Sequence, residues 1–235
     1  MENKNIQTAL ITGANKGIGF EIAHQLLKKG FHVIITGRDE LKLSEAVNQL
    51  KSESASIEML LMDVSNFESV KTAAKSLADR NFLLDVVINN AAIMLKEDLS
   101  LIGHDDEVLK TTINTNCYGP IRVIHAFLPM MKTPGRIINI SSEGGSMSGP
   151  VGGWSPAYCV SKTMLNSITR HIAYELSGKS IAVNAVTPGW VRTNMGGKSA
   201  PRSVDHGAET PVWLASDAPI ELTGKFFKDK AEIKW

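Results

Sequence analysis

The chain has 235 residues, with 25 basic residues against 24 acidic ones and a formal net charge of +1. That length suffices for a substantial core within one α/β domain. The charge balance argues against a nucleic-acid-binding face and against an electrostatic membrane anchor, and no apolar run approaches spanning length.

The first apolar run, Ile6 to Ile11, reads as a strand. Only five mostly polar residues precede it, too few for a signal peptide. Cys117 and Cys159 fall in expected helical segments without a metal or redox motif, so a reduced, cytoplasmic setting is the simpler expectation. His24, His32, His104, His125, His171 and His206 are scattered without ligand spacing, and no metal site is expected.

After the first strand comes Thr12-Gly13-Ala14-Asn15-Lys16-Gly17-Ile18-Gly19, followed by an amphipathic segment, Phe20 to Lys29. A strand, a glycine-rich turn and a helix in that order make a cradle for a diphosphate, because the first helical N–H groups point at the anion and the helix dipole favours negative charge. Gly13 suits the tight turn, while Gly17 and Gly19 permit close approach of backbone to ligand and sheet. The spacing is G-x-x-x-G-x-G, which differs from the common dinucleotide fingerprint.

Further strand-like runs follow at His32–Thr36, Ile57–Met62, Asp85–Asn89, Arg136–Ile140 and Ile181–Val186, and a short seventh run at Gly224–Phe227 suits a sheet edge. Helical patterns separate most of them, which predicts βαβ units and a mostly parallel sheet with helices on both faces. Ligands in such folds sit beyond the carboxyl ends of the strands, near the switch in strand order.

Past the second strand stands Thr36-Gly37-Arg38-Asp39. Gly37 leaves space and Arg38 offers a planar fork for phosphate, with Lys16 as a second positive charge. That pattern points to NADP over NAD, with Asp39 either competing for the same ribose or starting the next helix. Past the third strand, Asp63 either accepts from an adenine amino group or caps the following helix, with Val64 beside it. Past the fourth stands Asn89-Asn90-Ala91-Ala92, where small residues let the backbone pass a ribose and the amides can tie neighbouring loops.

The fifth strand leads into Ser141-Ser142-Glu143-Gly144-Gly145. The next helix is expected to begin at Ser155-Pro156, with Ser155 as N-cap. Tyr158 and Lys162 lie four apart and share one face of it. A free phenol has a pKa near 10, and an adjacent ammonium is expected to lower it toward the range useful for proton transfer.

Taken in order, Thr12 to Gly19, Asn89 to Ala91, Asn116 to Gly119, Ser141-Ser142, Tyr158 to Lys162 and Pro188 to Thr193 resemble the classical short-chain dehydrogenase/reductases. The ending, Gly224 to Lys230 and on to Trp235, is similar to the carbonyl-reductase-like members. The resemblance implies a doubly wound Rossmann fold with a seven-stranded sheet, spanning residues 1–235 as a single domain with a short substrate lid near 190–208. It implies NADP, held by Gly13, Asn15, Lys16, Gly17, Ile18, Gly19, Arg38, Asp63, Val64, Asn90, Ala91, Tyr158, Lys162, Pro188, Gly189, Val191 and Thr193.

By the same resemblance Tyr158 is the proton donor, and Lys162 lowers its pKa and holds the nicotinamide ribose. Ser142, the second serine of the pair, binds the substrate oxygen. Asn116, ahead of its neighbour Asn114, holds a water in a relay with Lys162, and Thr193 binds the carboxamide. Ala92 replaces the usual glycine, the glycine-rich loop Gly144 to Gly153 is longer than in many classical members, and the long insertion of some monomeric carbonyl reductases is absent. The oligomers implied are a homodimer or homotetramer, although carbonyl-reductase-like members include monomers.

Ile93, Met94, Met147, Val151, Trp154, Trp190 and Met195 are the expected pocket wall, favouring an apolar or aromatic carbonyl compound, with Glu143 and Arg192 near the mouth. The expected activity is NADPH-dependent reduction of an aldehyde or ketone, reversible to alcohol oxidation. An NAD-dependent alcohol dehydrogenase and a catalytically weak NADP-binding sensor are the alternatives.

Overall fold

In the computed structural model, residues 6–52, 54–103 and 106–235 are described; His104 lies outside them. The chain alternates strand and helix: β1 Thr8–Ile11, α1 Gly17–Lys28, β2 His32–Gly37, α2 Glu40–Leu50, β3 Ile57–Leu61, α3 Phe67–Ala78 and β4 Leu84–Asn89. Then come α4 Glu107–Ile113, a π-helical turn at Asn114–Tyr118, α5 Gly119–Phe127, β5 Met131–Ile140, α6 Pro156–Glu175 and β6 Ile181–Val186. The chain closes with α7 Val204–Ser216, β7 Phe226–Lys228 and β8 Ala231–Ile233.

The strand order is β3-β2-β1-β4-β5-β6-β7-β8, parallel throughout except for the antiparallel β7–β8 pair. β1 and β6 are buried along their whole length, which is why they read as continuous apolar runs. α1, α2 and α7 pack one face through Ile22, Leu26, Leu43 and Val212. α3, α5 and α6 cover the other through Val70, Val123, Phe127 and Ala173. The strand order reverses between β1 and β4, so the loops after these two strands face each other across the switch point.

Among the described residues the sheet has eight strands, against the seven expected. The additional strand turns back through Asp229 and Lys230, both with positive φ (51° and 61°). Such a two-residue turn is normally announced by Asn-Gly or Asp-Gly, so Asp-Lys gave no local signal. Its return is secured by packing, with Phe226 stacked on Trp235 at 5.4 Å.

Candidate active site

At the end of β1, Gly13 and Gly17 both have positive φ (62° and 60°). A Cβ on Gly13 would lie 2.8 Å from the Ala91 Cα, and one on Gly19 would collide with the Asn90 amide nitrogen and lie 2.8 Å from the Gly13 carbonyl. These two glycines therefore let the first turn press against the β4 loop. Gly17 faces Thr193, whose Cγ2 would be 3.5 Å from an added Cβ.

Thr12, not among the expected site residues, binds the two loops together. Its hydroxyl accepts from the Asn90 and Ala91 N–H groups at 3.0 Å each. Asn90 Nδ2 donates back to the Thr12 and Gly13 carbonyls at 2.9 and 3.0 Å. The signal was present: a hydroxyl residue at a strand's carboxyl end, directly before a glycine turn. α1 then starts at Gly17 with Lys16 as an N-cap that supplies no side-chain hydrogen bond, and no acidic residue occupies its first turn. α2 and α3, by contrast, are capped by Asp39 and Asn66. A helix start left without a side-chain cap and flanked by glycines fits a diphosphate.

At the end of β2, Arg38 is exposed, and Gly37 lies under Asn15, whose Oδ1 would be 3.6 Å from a Cβ there. Asp39 is turned onto its own helix, accepting from the Lys42 N–H at 3.2 Å and pairing with the Lys42 ammonium. Its carboxyl is held below the usual range, chiefly by that side-chain hydrogen bond. Of the two readings for Asp39, the helix start is the one observed.

At β3 the capping reading of Asp63 fails. Asn66 caps α3, and Asp63 Oδ1 instead accepts from the Ser65 N–H and hydroxyl at 2.9 and 2.7 Å. Val64 is buried against Gly119, where a Cβ would stand 3.0 Å from its Cγ2, so the glycine of the Asn-x-x-Gly pattern serves this contact.

Asn116 sits in the π-helical turn, fully buried. Its Oδ1 accepts from the Ile93 N–H at 2.8 Å, and Nδ2 donates to the Ile93 carbonyl at 2.9 Å and the Ser161 hydroxyl at 3.0 Å. Both amide protons are thus spent on structure. Asn114 is likewise engaged, donating to the Ser65 carbonyl and accepting from Arg122.

The two serines after β5 separate clearly. Ser141 is buried and donates to Asn166 Oδ1 at 2.6 Å. Ser142 is half-buried, accepts from the Gly144 N–H at 3.1 Å and interacts with the Tyr158 phenol.

The Tyr158 and Lys162 side chains share one face of α6, with Lys162 Nζ 5.5 Å from the phenol ring centre. The ammonium donates to the Ile140 carbonyl at 2.7 Å. The expected lowering of the phenol pKa is not what the folded site produces. Burial pushes Tyr158 up to about 12, with the Ser142 hydroxyl pulling the other way, and burial pushes Lys162 down to about 8.

The N-cap of α6 is not the expected Ser155 side chain. Ser155 adopts a left-handed conformation (φ 38°, ψ 65°) and makes no side-chain cap. Asp98 caps α6 instead, accepting from the Ala157 and Tyr158 N–H groups at 2.8 and 2.9 Å.

Beyond β6, Gly189 has positive φ and lies against Arg202, whose Nε would be 2.8 Å from a Cβ there. Arg202 forms a bidentate pair with Asp229 and donates to the Pro188 carbonyl. Residues 190–202 form a loop closed at its base by backbone bonds between Arg202 and both Trp190 and Arg192. Val191 is buried, and the Thr193 hydroxyl accepts from the Gly196 N–H at 3.0 Å. Glu143 pairs with Lys228 and Arg192 donates to the Ala200 and Pro201 carbonyls, so both mouth charges have protein partners.

Met147, Val151, Trp154, Trp190 and Met195 are exposed, while Ile93 and Met94 are half-buried. A cavity of about 530 Å³ lined by Thr133, Pro134, Leu176 and Ile220 opens at the amino ends of β5 and β6, away from all this chemistry.

The family model for the short chain dehydrogenase matches residues 7–203. Carbonyl reductase [NADPH] 1 of Sus scrofa is 34% identical, with 99% of this chain and 96% of that protein covered. Carbonyl reductase [NADPH] 3 of Rattus norvegicus is 32% identical over 97% of this chain and 98% of that one. Among solved structures, the NADPH-bound carbonyl reductase from chicken fatty liver superposes with a TM-score of 0.87 at 27% identity, covering 98% of this chain and 99% of that chain. Carbonyl reductase Sniffer of D. melanogaster gives 0.88 at 28% identity, covering 98% and 100%. The chain belongs to the short-chain dehydrogenase/reductase family and is carbonyl-reductase-like.

Proposed function

We propose that this protein is an NADPH-dependent reductase of aldehydes or ketones in which Tyr158 delivers the proton. The observation that carries the reading is the convergence of Ser142, Tyr158 and Lys162 on one side of the sheet's carboxyl end, across the switch point from the glycine turn of α1, which has no side-chain cap. The relatives named for NADPH and carbonyl reduction cover nearly the whole chain and support the same reading.

When bound, the dinucleotide supplies a hydride to the carbonyl carbon. The first turn of α1, with Gly17, Ile18 and Gly19, holds the diphosphate. Lys16 and Arg38 hold the 2′-phosphate, and Asp39, engaged with Lys42, leaves that corner free of a competing carboxylate. Asp63, Asn90, Ala91, Pro188, Gly189 and Thr193 line the remainder. The Ser142 hydroxyl orients the carbonyl oxygen, and the Tyr158 phenol gives it a proton. At neutral pH a phenol raised to about 12 is protonated, the form that a donor in reduction requires. Lys162 holds ribose hydroxyls. Asn116, its side-chain amide committed to Ile93 and Ser161, is the residue that would hold a relay water beside Lys162. The loop 190–202 acts as the lid.

The test is NADPH consumption, with NADH in parallel, across aldehydes, ketones and quinones for the wild type and Tyr158→Phe. Consumption with NADPH that disappears in the variant supports the reading. Turnover that survives the substitution refutes Tyr158 as donor, and a preference for NADH refutes Arg38 and Lys16 as phosphate readers.

A further inference from the structure

The start of α6 is built in an unusual way. The residue in the N-cap position, Ser155, is left-handed and contributes no side-chain bond. The two N–H groups it would leave open, those of Ala157 and Tyr158, are taken by one carboxylate 59 and 60 residues away, Asp98. That side chain is only 2% exposed. A buried carboxylate is costly unless paired, and here two backbone donors and the positive end of a 20-residue helix offset the cost.

The displaced cap has a geometric return. With Ser155 turned left-handed, Trp154 folds back over the glycine loop, where a Cβ on Gly144 would lie 3.0 Å from its indole. The indole also lies against the Tyr158 ring, centroids 5.8 Å apart and planes 35° apart. A conventional extended N-cap at residue 155 would direct the chain, and Trp154, elsewhere. The segment carrying Asp98 is itself anchored upstream, where the Asn116 amide clasps Ile93 on both its N–H and its carbonyl.

We infer that Asp98 is a positioning residue for proton transfer: it fixes the first turn of α6, and with it the placement of the Tyr158 phenol and the Trp154 wall beside it. The inference rests on Tyr158 being the proton donor. Without the carboxylate the first turn loses the partners of two N–H groups and frays, and an error of about 1 Å in the phenol's reach costs on the order of a hundredfold in rate.

The experiment compares Asp98→Ala, Asp98→Asn, Tyr158→Phe and the wild type in three measurements: NADPH binding by fluorescence titration, kcat and KM for carbonyl reduction, and hydrogen–deuterium exchange over residues 154–162. In Asp98→Ala, NADPH affinity should be unchanged, kcat should fall roughly ten- to a hundredfold, and amides in the first turn of α6 should exchange faster. Asp98→Asn keeps one acceptor oxygen and should fall between; it decides the matter if the alanine variant does not fold. Faster exchange with wild-type kcat would overturn the positioning role, and unchanged exchange would overturn the cap itself. Turnover persisting in Tyr158→Phe would instead overturn the proton-donor reading, leaving the exchange result to report on the cap alone.

Discussion

Lys162 Nζ stands 5.5 Å from the centre of the Tyr158 ring but gives its hydrogen bond to the Ile140 carbonyl, at 2.7 Å. Sequence spacing alone suggested an ammonium that draws the phenol toward ionisation. In the folded site burial dominates, opposed at the phenol by the Ser142 hydroxyl: the phenol rises to about 12 and the amine falls to about 8. Each group is biased toward its neutral form, which for the tyrosine is the proton-bearing one.

Replacing Tyr158 by Phe removes the proton and leaves the ring's packing against Trp154. We expect kcat for carbonyl reduction to fall roughly 10²- to 10⁴-fold, with NADPH binding by fluorescence titration retained.

The depressed pKa of Lys162 makes stability depend on pH. Its folded value, about 8, lies below the ordinary 10.5, so the stabilisation it confers is present above pH 10.5 and lost as pH falls through 8. At neutral pH the protein carries a buried charge that folding disfavours. Lys162→Met should therefore be more stable than wild type at pH 7 by about 2 kcal/mol, after allowing for the lost bond to Ile140. Urea unfolding at a series of pH values should show that advantage shrinking between pH 8 and 10.5, while activity is lost throughout.

Gly17 and Gly19 answer differently to alanine. A Cβ on Gly19 would collide with the Asn90 amide and crowd the Gly13 carbonyl, both fixed by the Thr12 network. Gly19→Ala should cost about 1–3 kcal/mol and weaken NADPH binding. Gly17 has room, with Thr193 at 3.5 Å, but a φ of 60°, so Gly17→Ala should cost about 1 kcal/mol. Urea midpoints for the two variants should rank them in that order.

Arg38 is exposed at the end of β2, and the neighbouring carboxylate is occupied by Lys42. Arg38→Ala should weaken NADPH binding about ten- to a hundredfold and leave NADH binding nearly unchanged, a charge-assisted contact contributing about 1.5–3 kcal/mol. Parallel titrations with the two dinucleotides check this, and equal losses for both would count against a phosphate contact.

The sequence by itself determined what depends on local period and local chemistry. Buried parallel strands show as unbroken apolar runs, so β1, β2, β4 and β6 could be placed closely, and positive φ at Gly13 follows from what a tight turn demands of a residue. The four-residue interval of Tyr158 and Lys162 put both on one helix face. Tertiary structure decided whatever depends on residues distant in the chain. Asp98 rather than Ser155 caps α6, because a carboxylate from another loop reaches the amides once Ser155 turns left-handed. Ser142 rather than Ser141 meets the phenol, because Asn166 takes the other hydroxyl inward. β8 exists because Phe226 and Trp235 stack across a turn with no sequence signature. The protonation bias of Tyr158 and Lys162 belongs to the same class: spacing sets which charges are neighbours, but desolvation is a property of everything packed around them.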